Sequence, residues 1–280
     1  MHTWWLLIGK PIGLAVALAV STLSRADEVR ADEVYGSPPK NIKEYLERLA
    51  HSYPDTISRY DDEFLYLKDG TPKYHISDHR TDKTFQELLD KPDIDDMFYA
   101  PYPNGTIPKQ PGKNIDPGRV RYEPLFAAMY GDCRKNEVTK SLRTIKWLPR
   151  HGGGSVTITR INGVDKALEA VSRDIDELPN DLIQYAKPTA GTYNCRVVAG
   201  TNYMSVHAYG AAIDINAKYA DYWRWALNDR GEPKWRNQIP VPIVRIFEKY
   251  RFIWGGYWYH YDTMHFEYRP ELFLSEGPAG

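Results

Sequence analysis

The chain of 280 residues holds only two cysteines, Cys133 and Cys195. Their separation excludes every CxxC metal or redox motif, and with it a zinc site built from thiolates. In an oxidising compartment the two can form one disulfide, and otherwise they are two buried thiols; the sequence leaves both open. An excess of one charge is also missing, since the formal net charge is -1. A dedicated nucleic-acid binder draws its affinity from a basic surface, so nucleic acid is not an expected partner. Internal repeats and low-complexity tracts are absent, and one principal domain is the default reading.

Long apolar runs are scarce. The N-terminal segment places Lys10 ahead of an uncharged stretch from Ile12 to Leu23, followed by Ser24-Arg25-Ala26, a small-x-small cleavage pattern. Lys10 and Pro11 interrupt the run that begins at Trp4, and a spanning helix needs about 20 apolar residues. Residues 1–26 therefore read as a signal peptide, which predicts export to the periplasm or cell envelope and no stable membrane insertion after cleavage. The apolar Trp4 to Ile8 ahead of Lys10 leaves an uncleaved tether as the alternative.

What is present suits a soluble protein with a sizeable core: 42% of residues are hydrophobic and 26% charged. Residues 27–118 read as a linker and an N-terminal extension wrapped around the domain that follows, at 119–280. Within the extension, Ile42, Tyr45, Leu46 and Leu49 fall at helical spacing. Phe64 to Leu67, then Asp69-Gly70, then Tyr74 to Ile76 predict a hairpin. The proline- and glycine-rich stretch 92–117 predicts an irregular loop over the surface.

From Arg119 onward, Ser155 to Ile161 alternates as a strand, and Val164, Leu168, Val171, Ile175 and Leu178 make one face of a helix ended by Pro179. Pro242 suits the first turn of a further helix carrying Val244, Phe247 and Tyr250. The remaining apolar runs are short. The expected fold class is α+β, with a small antiparallel sheet packed against helices.

Two segments carry the chemistry: Ser205-Val206-His207-Ala208-Tyr209-Gly210-Ala211-Ala212-Ile213-Asp214 and Asp262-Thr263-Met264-His265-Phe266-Glu267. Period-two alternation puts Ile213 and Ile215 on one face of a strand and Asp214 on the other. In the second segment Phe266 and Tyr268 face one way, His265 and Glu267 the opposite way. If the strands are neighbours, Asp214 and His265 converge. Gly210 allows the tight turn that returns the His207 imidazole over the strand. Two histidines and one aspartate leave a fourth tetrahedral position for water, the mark of a catalytic rather than structural zinc site. Asp262, three residues before His265, is placed to accept a proton without coordinating. Glu267 competes for that role, but its position on the face of His265 suits orienting the imidazole. His260 is a candidate proton donor or a structural histidine. Ser205 has no acid-base partners around it, so a local hydrogen bond is expected rather than a nucleophile. Trp254-Gly255-Gly256-Tyr257-Trp258 is expected to shape a cleft wall, its glycines admitting substrate closely.

The sequence resembles the zinc peptidases of the VanY-like and VanX-like family, D-alanyl-D-alanine carboxypeptidases and L-alanyl-D-glutamate endopeptidases. Their pattern S-x-H-x-x-G-x-A-x-D is matched from Ser205 to Asp214, and D-x-M-H-F-E is similar to their second signature. The resemblance covers roughly residues 119–274. It implies one zinc ion held by His207, Asp214 and His265, a catalytic carboxylate at Asp262, and peptidoglycan stem peptides as substrate. It also implies that Arg196 holds the substrate carbonyl and its developing oxyanion, which agrees with what a fixed guanidinium does beside a metal. An aspartate at position 262 is similar to the endopeptidase-like branch. The same superfamily includes hedgehog-type zinc modules without hydrolytic activity, so a non-catalytic cell-wall binding module is the competing expectation. A structural envelope protein with incidental histidines is a further one.

Overall fold

The computed structural model describes Tyr35, residues 39–70 and residues 73–273. The expected signal peptide lies outside the described residues. Among those described, no helix is long and apolar enough to cross a membrane.

The helical spacing in the N-terminal part becomes α1 (Ile42–Ser52), with Leu46 and Leu49 buried. It is followed by β1 (Ile57–Tyr60), β2 (Phe64–Leu67) and β3 (Tyr74–His75), an antiparallel sheet in that order. The β2–β3 hairpin was legible, whereas β1 was not. A short α2 (Phe85–Asp90) starts on a capping box in which the Thr84 hydroxyl accepts from the Glu87 amide and the Glu87 carboxylate accepts from the Thr84 amide.

The stretch 92–117 is irregular apart from a 3-10 turn at Asp95–Phe98; its middle runs over the surface, with residues 104–107 exposed, whereas its two ends turn inward. Ile94, Met97, Phe98, Tyr102 and Asp116 are all buried. Its prolines prevent regular structure without keeping the apolar side chains at its ends in water, although Ile107 in its middle is exposed. Tyr102 donates to Glu248 and accepts the backbone N–H of Trp254, so the first part of this stretch joins the core.

Beyond it come α3 (Glu123–Tyr130), the hairpin β4 (Leu142–Lys146) with β5 (Ser155–Thr159), α4 (Val164–Asp176) and α5 (Asn180–Ala186). On α4 the buried positions Val164, Leu168, Val171 and Ile175 lie on one face, as their spacing requires. The last sheet is built from β6 (Ala212–Asp214), β7 (Phe252–Trp254) and β8 (His265–Tyr268), antiparallel in the order β6-β8-β7, with α6 (Val241–Lys249) preceding β7. The fold class is α+β, with three small antiparallel sheets in place of one.

α6 explains why β8 can carry polar residues toward the site. Its Phe247 ring stacks on Phe266 with centroids 3.8 Å apart, so Phe266 anchors the core face of the strand. His265 and Glu267 must then point to the opposite face. The C-terminal end of β8 is fixed by a buried ionic network: Arg269 Nε donates to Glu271 Oε1 at 2.5 Å and its Nη1 to Glu267 Oε1 at 3.1 Å. Tyr53, just after α1, donates to the other Glu271 oxygen at 2.6 Å. The two cysteines form a disulfide, Cys133 to Cys195, with Cα atoms 5.7 Å apart.

Candidate metal centre

β6 and β8 pair so that Asp214 stands directly opposite His265, Ile213 opposite Phe266 and Ala212 opposite Glu267. His207 arrives from a 3-10 turn, Val206–Tyr209, that ends at Gly210 with φ of 67°. A side chain there is strained by that dihedral, and a Cβ would also sit 2.9 Å from Leu142 Cδ2. Ser205 caps this turn, its Oγ accepting from the His207 amide, which matches the local role expected of it.

The three donor atoms form a nearly equilateral triangle. His207 Nε2 lies 3.1 Å from Asp214 Oδ1 and 3.2 Å from His265 Nδ1, and His265 Nδ1 lies 3.0 Å from Asp214 Oδ1. Ligands of a tetrahedral zinc, with bonds of about 2.0–2.1 Å, stand about 3.3 Å apart. The outer nitrogens are engaged elsewhere: His207 Nδ1 bonds the Thr192 carbonyl, and His265 Nε2 bonds Glu267 Oε2 at 3.0 Å. Each imidazole is thus oriented by a fixed acceptor and turns its other nitrogen inward. Donor types, separations and outer bonds all fit a zinc ion.

The electrostatics ask for positive charge at this point. Although burial opposes it, the hydrogen bonds and charges of Asp214 and Glu267 raise His265 to about 10. Burial likewise opposes ionisation of Asp214, yet His207 and His265 hold its carboxyl well below the usual range. Glu267 is fully buried, and against that burial Arg121 and His265 bring it down to about 2. Glu267 is therefore an ionised carboxylate, tied to His265, to Arg269 at 3.1 Å and to Arg121 at 3.4 Å. Asp262 is the opposite case. Burial, and then the charge of Asp214, push it up to about 6, and its Oδ1 is buried without a hydrogen-bond partner.

A cavity of about 260 Å³ opens onto this cluster, lined by His207, Asp214, His265, Asp262 and Glu267. Arg196 lines it too, exposed and donating to the Val197 carbonyl at 3.3 Å. Trp258 forms part of the wall, as expected, whereas Trp254 is wholly in the core. Of the glycines between them, Gly256 makes room for the Trp254 ring, and Gly255 serves a different purpose from the one expected. A Cβ on Gly255 would lie 2.6 Å from the Asp262 carbonyl oxygen, and the Asp262 amide donates to the Gly255 carbonyl at 3.0 Å. What approaches closely is the protein's own Asp262 loop. His260 is not among the cavity-lining residues; its Nδ1 bonds Asp116 at 2.7 Å and its ring stacks on Phe85.

Sequence reasoning missed Arg119 and Arg121, both of which line the cavity. Arg119 donates to the His260 carbonyl at 3.1 Å, and its charge acts on Asp262. The alternation Arg119-Val120-Arg121, with Val120 completely buried, was the available signal for two cations on one face.

A triad of two histidines and one carboxylate at the end of a strand pair, with an unpartnered carboxyl beside it, defines a candidate metal-dependent hydrolase. Residues 199–268 match the sequence model of a family described as D-alanyl-D-alanine carboxypeptidase. That span contains both motifs and bears out the resemblance to the VanY-like peptidase family. Neither a curated protein nor a solved structure matches the chain.

Proposed function

We propose that the chain is an exported zinc peptidase that hydrolyses a peptide bond in the stem peptide of peptidoglycan. The family description favours the terminal D-Ala-D-Ala bond. The observation that carries the reading is the pairing of two inward-turned imidazoles and Asp214 with a neighbouring carboxyl, Asp262, whose buried oxygen has no partner. His207 Nε2, Asp214 Oδ1 and His265 Nδ1 would hold the metal. When bound, zinc supplies Lewis acidity that lowers the pKa of water to about 7 and polarises a carbonyl.

Asp262 is the general base: it takes the proton of the attacking water and returns it to the leaving nitrogen. Its buried Oδ1 has no hydrogen-bond partner and lies in the lining of the cavity, so it is free to accept that proton. Glu267, already committed to His265, Arg121 and Arg269, orients the imidazole instead. Arg196 stabilises the negative charge that develops on the carbonyl oxygen. Among the described residues no carboxylate neutralises its guanidinium, so its donors remain available to substrate. A zinc-bearing binding module has no need of a buried, unpartnered carboxyl beside the cluster, which supports hydrolysis over simple binding.

The test is digestion of purified peptidoglycan by the zinc-loaded protein, with mass analysis of the products. Release of free alanine from pentapeptide stems is expected, abolished by a chelator and restored by zinc. Cleavage that persists in chelator overturns the reading.

A further inference from the structure

A second cavity, of about 450 Å³, lies on the other side of one hairpin from the His207–Asp214–His265 cluster. The hairpin is made by residues 197–204, closed by the Val197–Met204 bridge and by the Val198 amide donating to the Tyr203 carbonyl at 2.9 Å. Val198 and Ala199 line the first cavity, and Asn202 and Met204 line the second. Tyr203 and Arg121 line both. The two spaces therefore share a wall whose ridge is one tyrosine and one guanidinium.

That wall is held from below. Cys195, two residues before the hairpin, is bonded to Cys133, and Cys133 itself lines the second cavity. The Met204 amide donates to Glu123 Oε1 at the start of α3. A partition tied at both ends is preorganised, so a ligand lying across it does not have to order it. The far side of the second cavity is formed by Ala127 of α3 and by Asp90 and Lys91 at the end of α2. Asp90 and Lys91 are exposed, and together they offer one charge of each sign in a lining that also holds three tyrosines, Tyr122, Tyr203 and Tyr209, and the mutually paired Asp132 and Arg134.

We propose that this second cavity binds the stretch of stem peptide on the acyl side of the scissile bond, with the chain crossing the Tyr203 ridge. The ligand class is an extended peptide whose side chains include both an ammonium and a carboxylate. The proposal rests on the functional reading above. It makes the protein a reader of stem length, because binding energy from residues remote from the reacting bond is spent on turnover as well as on affinity.

The test compares two synthetic substrates with the zinc-loaded protein: an N-acetylated peptide ending in D-Ala-D-Ala with one further residue, and a full pentapeptide stem containing a diamino acid. Wild-type kcat/KM is expected to be at least about tenfold higher for the pentapeptide, the equivalent of one well-buried side chain. Ala127→Trp fills the cavity and Lys91→Glu inverts the exposed positive charge at its far side; neither residue belongs to the metal cluster. Both substitutions should bring the pentapeptide down toward the short substrate and leave the short substrate unchanged. Equal kcat/KM for the two substrates in wild type, or equal losses on both in the variants, overturns the second cavity while leaving the hydrolytic reading intact. Failure to cleave either substrate overturns the hydrolytic reading and this inference with it. Should Ala127→Trp unfold the protein, Lys91→Glu at an exposed site decides alone.

Discussion

Replacing Glu267 by glutamine separates orientation of a ligand from catalysis, and its effect can be worked from the three bonds it disturbs. Oε2 accepts from His265 Nε2 at 3.0 Å and from Arg121 at 3.4 Å, while Oε1 accepts from Arg269 at 3.1 Å. The amide can keep its oxygen at only one of these positions. Keeping it toward His265 preserves two of the three bonds and turns the NH2 against Arg269, which still has Glu271 and the Gly118 carbonyl. Turning the NH2 toward His265 would force Nε2 to accept and drive the ring proton to Nδ1, the nitrogen that faces Asp214. The first arrangement wins. It leaves a buried donor pair unsatisfied, which costs about 1–3 kcal/mol of stability in the chelated protein. Loss of the full negative charge also makes the imidazole a poorer ligand, weakening zinc by about 10–100-fold. At fixed free zinc well above the Kd of both proteins, that is about 1.4–2.7 kcal/mol less stabilisation on metal binding. Urea unfolding of wild type and Glu267→Gln, each with chelator and with buffered zinc, gives both numbers. A zinc increment identical in the two proteins refutes the claim that Glu267 acts through His265.

Asp262→Asn should retain zinc and fold while kcat falls about 10²–10⁴-fold, read from stem-peptide hydrolysis at saturating metal; turnover near wild type would mean that another group takes the proton. The double substitution Cys133→Ser/Cys195→Ser opens a loop spanning 62 positions and should lower the unfolding free energy by about 2–5 kcal/mol, measured by denaturant titration; an unchanged midpoint refutes it. Burial, followed by the hydrogen bond shared with Asp93, raises Asp95 from 3.8 to about 8. The folded chain thus keeps a proton that the unfolded chain has released, so this group's contribution makes stability fall as pH rises from 3.8 to about 8. Asp95→Asn should flatten that slope, and equal slopes in wild type and variant across this window would rule the shared proton out.

The parts of the site that were legible in the sequence are those set by local periodicity. Alternation alone put Asp214 and His265 on the polar faces of their strands, and the pairing of β6 with β8 made those faces meet. Gly210 announced the turn that returns His207, and Glu267 was placed with His265 because two residues along a strand share a side. What stayed hidden depends on contacts between distant positions. Asp116 reaches His260 across 144 residues, and nothing in a proline-rich stretch indicates that it will be buried. Gly255 looked like room for substrate, because the sequence does not record that the Asp262 loop folds back onto it. β1 was missed since its four residues, Ile-Ser-Arg-Tyr, alternate too briefly to register.

The facing of Asp214 and His265 across β6 and β8 also bears on how the sheet finds its register. β6 has three residues and β8 four, so few ladder bonds define their alignment. A slip of one residue would turn Ile213 or Phe266 out of the core and carry a ligand to the wrong side. An ion gripping one side chain from each strand acts as a pin that only the native alignment can accept. The metal would then be a folding checkpoint before it is a catalyst. Amide protons of Ala212 to Asp214 and of His265 to Tyr268 should exchange markedly more slowly once zinc is bound, with α1 unaffected.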